Sequence, residues 1–120
     1  MPIRRFEELV AWQRSRDLAI GIYRVTADER FARDRALQDQ IRRAAVSVMS
    51  NLAEGFERYS RREFRQFISV ARGSVAEVRS QLLLARELSY LAEADFSAMH
   101  ALAVEISRML AALHTSLKAR

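Results

Sequence analysis

Arg65, Arg72, Arg79 and Arg86 recur every seven residues, and Arg58 and Arg61 extend the same column toward its start. On a helix rising about 1.5 Å per residue, the heptad members lie roughly 10 Å apart and the row runs for more than about 30 Å. A drift of about 20° per heptad keeps them on one side. Guanidinium groups spaced in this way suit the successive phosphates of a nucleic-acid backbone, where counterion release makes binding strongly salt-dependent. The same residues have a structural use. Arginines beside a helix seam pair with acids on the next helix or subunit, and Glu93, Asp95 and Glu105 are available. No exposed aromatics are expected between the arginines, so contacts with the backbone rather than with bases are indicated.

Other chemistry finds little support. His100 and His114 stand fourteen residues apart, about 21 Å along a helix and too far to share one metal ion. The inward-facing Glu-x-x-His pairs of di-metal bundles are missing. So are a glycine-rich phosphate loop, a Gly-x-Ser-x-Gly turn and a His-Glu-x-x-His helix. No catalytic residue, metal site or cofactor is expected, and the chain reads as non-enzymatic.

The elements that position the arginines follow from composition and spacing. A length of 120 residues fits one domain spanning the chain, and an apolar half is enough for a core. Three Gly and one Pro leave little turn chemistry for a sheet. The absence of Cys excludes disulfides and thiolate metal sites, and suits a reducing cytoplasm. Neither a secretory h-region nor an uninterrupted apolar run of about 18 residues occurs, so no membrane association is expected. The net charge is +5, with nineteen Arg and one Lys among the cations. Between Arg30 and Arg86 twelve arginines face six acids, so the basic excess lies in the middle of the chain and favours an anionic partner there.

Four helices are predicted. The first begins near Glu7 and carries Ala11, Ser15, Leu18, Ile22 and Val25 on one face, with Trp12, Ala19 and Tyr23 widening it. Gly21 costs roughly 1 kcal/mol there against Ala, which a closely packed neighbour would offset. Residues 27–33 read as an irregular polar link pinned by Phe31. Asp34 caps the second helix, whose core stripe is Leu37, Ile41, Ala44, Val48 and Leu52. Arg43, Ser47, Asn51 and Glu54 form a polar strip suited to hydrogen bonds across a helix seam, and Gly55 suits a left-handed cap, although Phe56-Glu57-Arg58-Tyr59 could prolong the helix by a turn.

Ser60-x-x-Glu63 is a capping box that opens the third and longest helix. Phe64, Ile68, Ala71, Val75, Val78, Leu82 and Ala85 form its core stripe. A second, weaker apolar strip at Val70, Leu84 and Leu88 is a candidate oligomer surface. In the last helix Asp95 is the expected N-cap, Phe96, Met99, Ala103, Ile106, Leu110, Leu113 and Leu117 carry the stripe, and Lys118 and Arg120 favour its C-terminus. Short connections imply an all-α, antiparallel up-down-up-down four-helix bundle.

Several segments carry a family resemblance: Gln40-Ile41-Arg42-Arg43-Ala44-Ala45-x-Ser47, Asn51-Leu52-Ala53-Glu54-Gly55-Phe56, Arg58-x-Ser60, Glu63-Phe64 and Ala71-x-Gly73-Ser74-x-x-Glu77. With Leu9-x-x-Trp12-Gln13 and Leu88-x-Tyr90-Leu91 they span nearly the whole chain. The sequence resembles the four-helix-bundle proteins encoded in intervening sequences of bacterial large-subunit ribosomal RNA genes, relatives of the accessory variability protein of diversity-generating retroelements. The resemblance implies a ring-like homopentamer with a basic surface. For the retroelement branch it also implies nucleic-acid or reverse-transcriptase binding, and the basic middle of the chain with its arginine row points to RNA or an RNA-DNA hybrid as the partner. The resemblance assigns no catalytic role to Asn51 or Glu54.

Overall fold

Wherever the four-three apolar spacing is sustained, the chain is helical. The computed structural model describes residues 2–118, so the expected contribution of Arg120 lies outside the described residues. Among those residues there is no strand. The helices are α1 (Val10–Val25), a short α2 (Glu29–Ala32), α3 (Arg35–Phe56), α4 (Arg61–Glu87) and α5 (Glu93–Ser116). The four long helices pack in a closed cycle, α1 on α3, α3 on α4, α4 on α5 and α5 on α1. The body is 48 Å long and 22 by 20 Å across.

Helix ends differ from the sequence expectation in ways that local hydrogen bonding explains. The first turn, Phe6–Glu8, is 3-10 rather than α, because the Glu8 carboxylate turns back to accept the amides of Arg4 and Arg5 at 2.8 and 3.3 Å. Leu9 is extended and α1 starts after it. The link after α1 is not wholly irregular. Asp28 accepts from the Arg30 amide at 2.9 Å, and this starts the single turn of α2, pinned as expected by fully buried Phe31.

Asp34 caps α3 by accepting the Leu37 amide at 3.1 Å. Its other oxygen accepts from the Tyr90 hydroxyl at 3.0 Å, which ties the start of α3 to the α4–α5 connection. Helix α5 begins at Glu93, so Asp95 lies in its first turn and is not the cap. There its charge favours the helix dipole without making a capping hydrogen bond. Lys118 lies just past the end of α5.

The core collects the predicted stripes: Leu18 and Ile22 from α1, Ile41, Val48 and Leu52 from α3, Ile68, Val75, Val78 and Leu82 from α4, and Ile106 and Leu110 from α5, all with no exposed surface. By length and composition alone α5 would also suffice to cross a membrane, although no uninterrupted apolar run occurs in the sequence. In this fold it buries Phe96, Ala103, Ile106 and Leu110 and packs on α1 and α4. Gly21 faces α5, where a Cβ would meet Met99 Sδ at 2.5 Å.

Two backbone positions set the turns at either end of α4. Gly55 is a buried helical residue of α3 rather than a left-handed cap, and a Cβ there would lie 2.6 Å from Phe67 Cβ. The contact lets α3 and α4 meet closely at their turn. At the far end of α4, Ser89 has a φ of 58°. Its amide donates to Arg86 O and the Tyr90 amide to Ala85 O, each at 3.0 Å. This is the paired hydrogen-bond pattern that glycine usually serves.

The two positions should respond with opposite signs in denaturant unfolding. Gly55→Ala is expected to destabilise by about 1–3 kcal/mol, because Phe67 Cβ is fixed to its backbone and cannot swing away. Ser89→Gly is expected to stabilise by about 0.5–1 kcal/mol by removing the left-handed penalty. A neutral Gly55→Ala, or a destabilising Ser89→Gly, would contradict this description of the turns.

Candidate nucleic-acid interface

The arginine row is positioned by the core stripe of α4. Ile68, Ala71, Val75, Val78, Leu82 and Ala85 are fully buried, which fixes the rotation of the helix about its axis. The heptad arginines therefore fall on the flank of α4 that adjoins α5, as the contact at Arg86 shows. The Arg86 guanidinium lies 4.3 Å from the centroid of the Phe96 ring on α5. Phe96 stacks on His100 at 5.3 Å, and the charges of Arg79 and Arg86 both act on His100.

The opposite flank of α4 meets α3 through the polar strip. Ser74 donates to Ser47 at 2.9 Å, Asn51 Nδ2 donates to the Ser47 hydroxyl at 2.9 Å and to its carbonyl at 2.8 Å, and Gln81 donates to Gln40 at 3.3 Å. Ser47 thus serves the seam, as its spacing suggested, whereas Asn51 bonds back to Ser47 within α3 and, among the described residues, makes no bond across to α4. Glu54 turns instead to Arg58 at 2.8 Å.

Few carboxylates engage the row. Of the acids available to it, Glu105 is held by Arg14 of α1 through two contacts of 3.1 Å. That pairing pulls the Glu105 carboxyl below its ordinary value. Among the described residues no ion pair joins the row to Glu93 or Asp95. Arg86 reaches only its chain neighbour Glu87, at 3.8 Å, and Arg58 reaches Glu54 and Glu63. Such exposed local pairs are worth about 0–1 kcal/mol and yield readily to a stronger anion.

Arg61 and Arg72 are exposed, and Arg65 and Arg79 are half-buried. The Nε atoms of Arg65 and Arg79 are sealed from solvent and make no hydrogen bond. An unpaired buried donor costs about 1–3 kcal/mol, so swinging either guanidinium out to an external acceptor recovers a hydrogen bond.

Two features escaped the sequence reading. Tyr59, in the turn between α3 and α4, is fully exposed at 106% and stands between Arg58 and Arg61, so an aromatic does interleave with the arginines. A tyrosine is usually partly covered, and its spacing from the stripes of α3 and α4 was the available signal that it has no place in the core. At the opposite end of the body, Arg30, Arg33 and Arg35 line a shallow cleft of about 580 Å³ with Asp34, Leu88, Ser89 and Tyr90. These arginines lie apart in sequence from the row and are gathered by α2 and the start of α3. No three His, Asp or Glu side chains converge among the described residues.

The candidate oligomer strip is exposed in the single chain: Val70 at 54%, Leu84 at 50% and Leu88 at 46%. Gly73 shares that outward face, and nothing lies within 4 Å of where its Cβ would be.

Residues 7–112 match the family model described as 23S rRNA-intervening sequence protein. The chain is also similar to a solved structure from Bacteroides thetaiotaomicron, described as a protein with unknown function from the S23 ribosomal protein family. The TM-score is 0.81 at 21% identity, over 88% of this chain and 98% of that one. At that identity the likeness concerns the fold. A comparison with curated proteins gave no match.

His100 reports on the row. Burial, then Arg79 and Arg86, push its pKa below the ordinary value of 6.5. The unfolded chain then binds more protons than the folded one as pH falls through about 6.5, so stability declines across that window and levels off below the folded pKa. His100→Gln is expected to flatten this decline in unfolding curves measured from pH 7.5 to 5. An unchanged pH profile in the variant would mean that His100 is not the responsible group.

Proposed function

This chain belongs to the 23S rRNA-intervening sequence protein family, and from that premise we propose that it is a non-enzymatic, oligomeric protein that binds RNA or an RNA-DNA hybrid through backbone phosphates. The observation that carries this reading is the arginine row Arg65, Arg72, Arg79 and Arg86, flanked by Arg58 and Arg61, which the chain's own carboxylates leave largely unpaired. Phosphate oxygens are strong acceptors matched to guanidinium geometry, and a linear array over about 30 Å selects a linear polyanion over a small one. Nothing in such contacts distinguishes one base from another. A cysteine-free chain suits a reducing cytoplasm, and it is there that we propose the binding occurs.

We take the architecture as an up-down-up-down bundle. Ser47 meets Ser74, Gln40 meets Gln81 and Gly55 adjoins Phe67, so the residue order along α3 runs opposite to that along α4. Arg14 with Glu105 and Gly21 with Met99 run in opposite order along α1 and α5. Assembly into a ring-like homopentamer is supported by the exposed Val70, Leu84 and Leu88 and by the uncovered Gly73 beside them. A Gly within an exposed helix costs about 1 kcal/mol, which a closely seated second copy would offset.

A second reading rests on the same strip: an interaction scaffold, for example an accessory subunit of a reverse transcriptase, as in the retroelement branch that the sequence resembles. It predicts apolar contacts to a protein and little dependence on the arginine row.

Fluorescence anisotropy with a structured RNA should show binding at low salt that weakens steeply as salt rises. Replacing Arg65, Arg72 and Arg79 together with Gln should flatten the log K against log salt slope by roughly 2–3, since each phosphate contact contributes about 0.7–0.9. No binding at low salt, or an unchanged slope, would overturn the nucleic-acid reading. Leu84→Glu with Leu88→Glu should lower the sedimenting mass to that of a monomer while helicity is kept. A wild-type chain that is already monomeric at high concentration would overturn the assembly.

A further inference from the structure

We infer that Tyr59 is a stacking platform for an unpaired base, so that the nucleic acid bound is single-stranded at the α3–α4 turn. This inference rests on the nucleic-acid reading above and narrows it to a substrate class. Tyr59 is the most exposed large apolar residue described, at 106%, and among the described residues no ring or cation contact involves it. Other exposed aromatic surface is already used: the ring of Tyr23, 45% exposed, lies 4.5 Å from the Arg42 guanidinium.

The surroundings of Tyr59 are basic and the backbone beneath it is held. Arg58 precedes it and Arg61 and Arg62 follow two and three residues later, and all three are exposed. Arg58 is tied down, with its guanidinium 5.0 Å from the Phe67 ring and bonded to Glu54. Among the described residues Arg61 and Arg62 make no ion pair. Below the turn, Phe56 and Phe64 meet edge to face at 6.0 Å, and Ser60 accepts the Glu63 amide at 3.1 Å. The turn is thus anchored on both sides while the Tyr59 ring projects from it.

An aromatic ring on a fixed turn, with two unpaired cations one and two residues past the helix cap, matches how single strands are held. The base stacks on the ring, and guanidinium groups take the flanking phosphates. The interior of a duplex cannot use the ring, because its bases are already stacked and paired. The turn also lies next to the Arg65 end of the row, so a strand stacked at Tyr59 can continue along α4.

The test compares a single-stranded oligoribonucleotide carrying 2-aminopurine with an RNA duplex of the same length whose ends are closed by non-nucleotide linkers, against wild type, Tyr59→Ala, Tyr59→Phe and the Arg65/Arg72/Arg79→Gln variant. Binding of the single strand to wild type should quench 2-aminopurine. Tyr59→Ala should lose about tenfold in single-strand affinity, as removal of one stacking ring does, while the salt slope and the duplex affinity stay within twofold. Tyr59→Phe should bind like wild type, since the ring rather than the hydroxyl carries the contact. Single-strand affinity unchanged in Tyr59→Ala, or an equal loss on duplex, overturns the inference while leaving the phosphate row intact. Failure of wild type to bind either RNA, or a salt slope unchanged in the arginine variant, is instead a failure of the broader reading.

Discussion

The rotation of α4 about its own axis is the constraint on which the rest of the structure depends. Six residues with no exposed surface, Ile68, Ala71, Val75, Val78, Leu82 and Ala85, must face the core. Once they do, every other residue of α4 has a determined side. The seam with α3 receives Ser74 and Gln81, the outward face receives Val70, Gly73 and Leu84, and the flank beside α5 receives Arg79 and Arg86. Turning the helix by a single residue would bury an arginine of the heptad row in the core, at a cost no local pairing repays. The row is therefore held at the surface by hydrophobic burial on the other side of the same helix.

Electrostatics then decide what the row is free to do. Of the acids that the sequence offers it, Glu105 is occupied by Arg14 of α1 in a two-contact pair. What remains beside the row are exposed pairs between near neighbours, Arg86 with Glu87 and Arg58 with Glu54. Both are weak enough to exchange for phosphate. The same charges bear on His100, where burial first, then Arg79 and Arg86, disfavour protonation.

Much of this was legible from residue spacing. The core stripes of α1, α3, α4 and α5, the caps at Asp34 and Ser60, the pinning role of Phe31 and the seam bond of Ser47 follow from periodicity and capping chemistry and are found in the fold, except that Tyr23, expected to widen the α1 face, is 45% exposed. Three local features were not legible, because in each a competing hydrogen bond or contact prevailed. Glu8 turned the first turn into 3-10 geometry, Gly55 was needed for its missing Cβ rather than for its φ, and Ser89 filled a left-handed position usually given to glycine. The exposure of Tyr59 and the meeting of Arg30, Arg33 and Arg35 depend on how turns are placed in three dimensions, which no helical period encodes. The family resemblance is matched over residues 7–112, and the fold is shared with a solved S23-family structure at a TM-score of 0.81.

The most direct test of the unpaired row is nuclear magnetic resonance of the arginine side chains. In the free protein the Nε–H groups of Arg65 and Arg79 are sealed from solvent and unbonded. Their signals should exchange slowly with water and resonate apart from those of exposed arginines. On titration with a short RNA at low salt, the Nε–H signals of Arg65, Arg72, Arg79 and Arg86 should move together and return as salt is raised, while that of Arg14, fixed to Glu105, stays in place. Bound RNA that leaves the row unshifted and moves Arg14 or Arg108 instead would contradict a phosphate-binding face on α4.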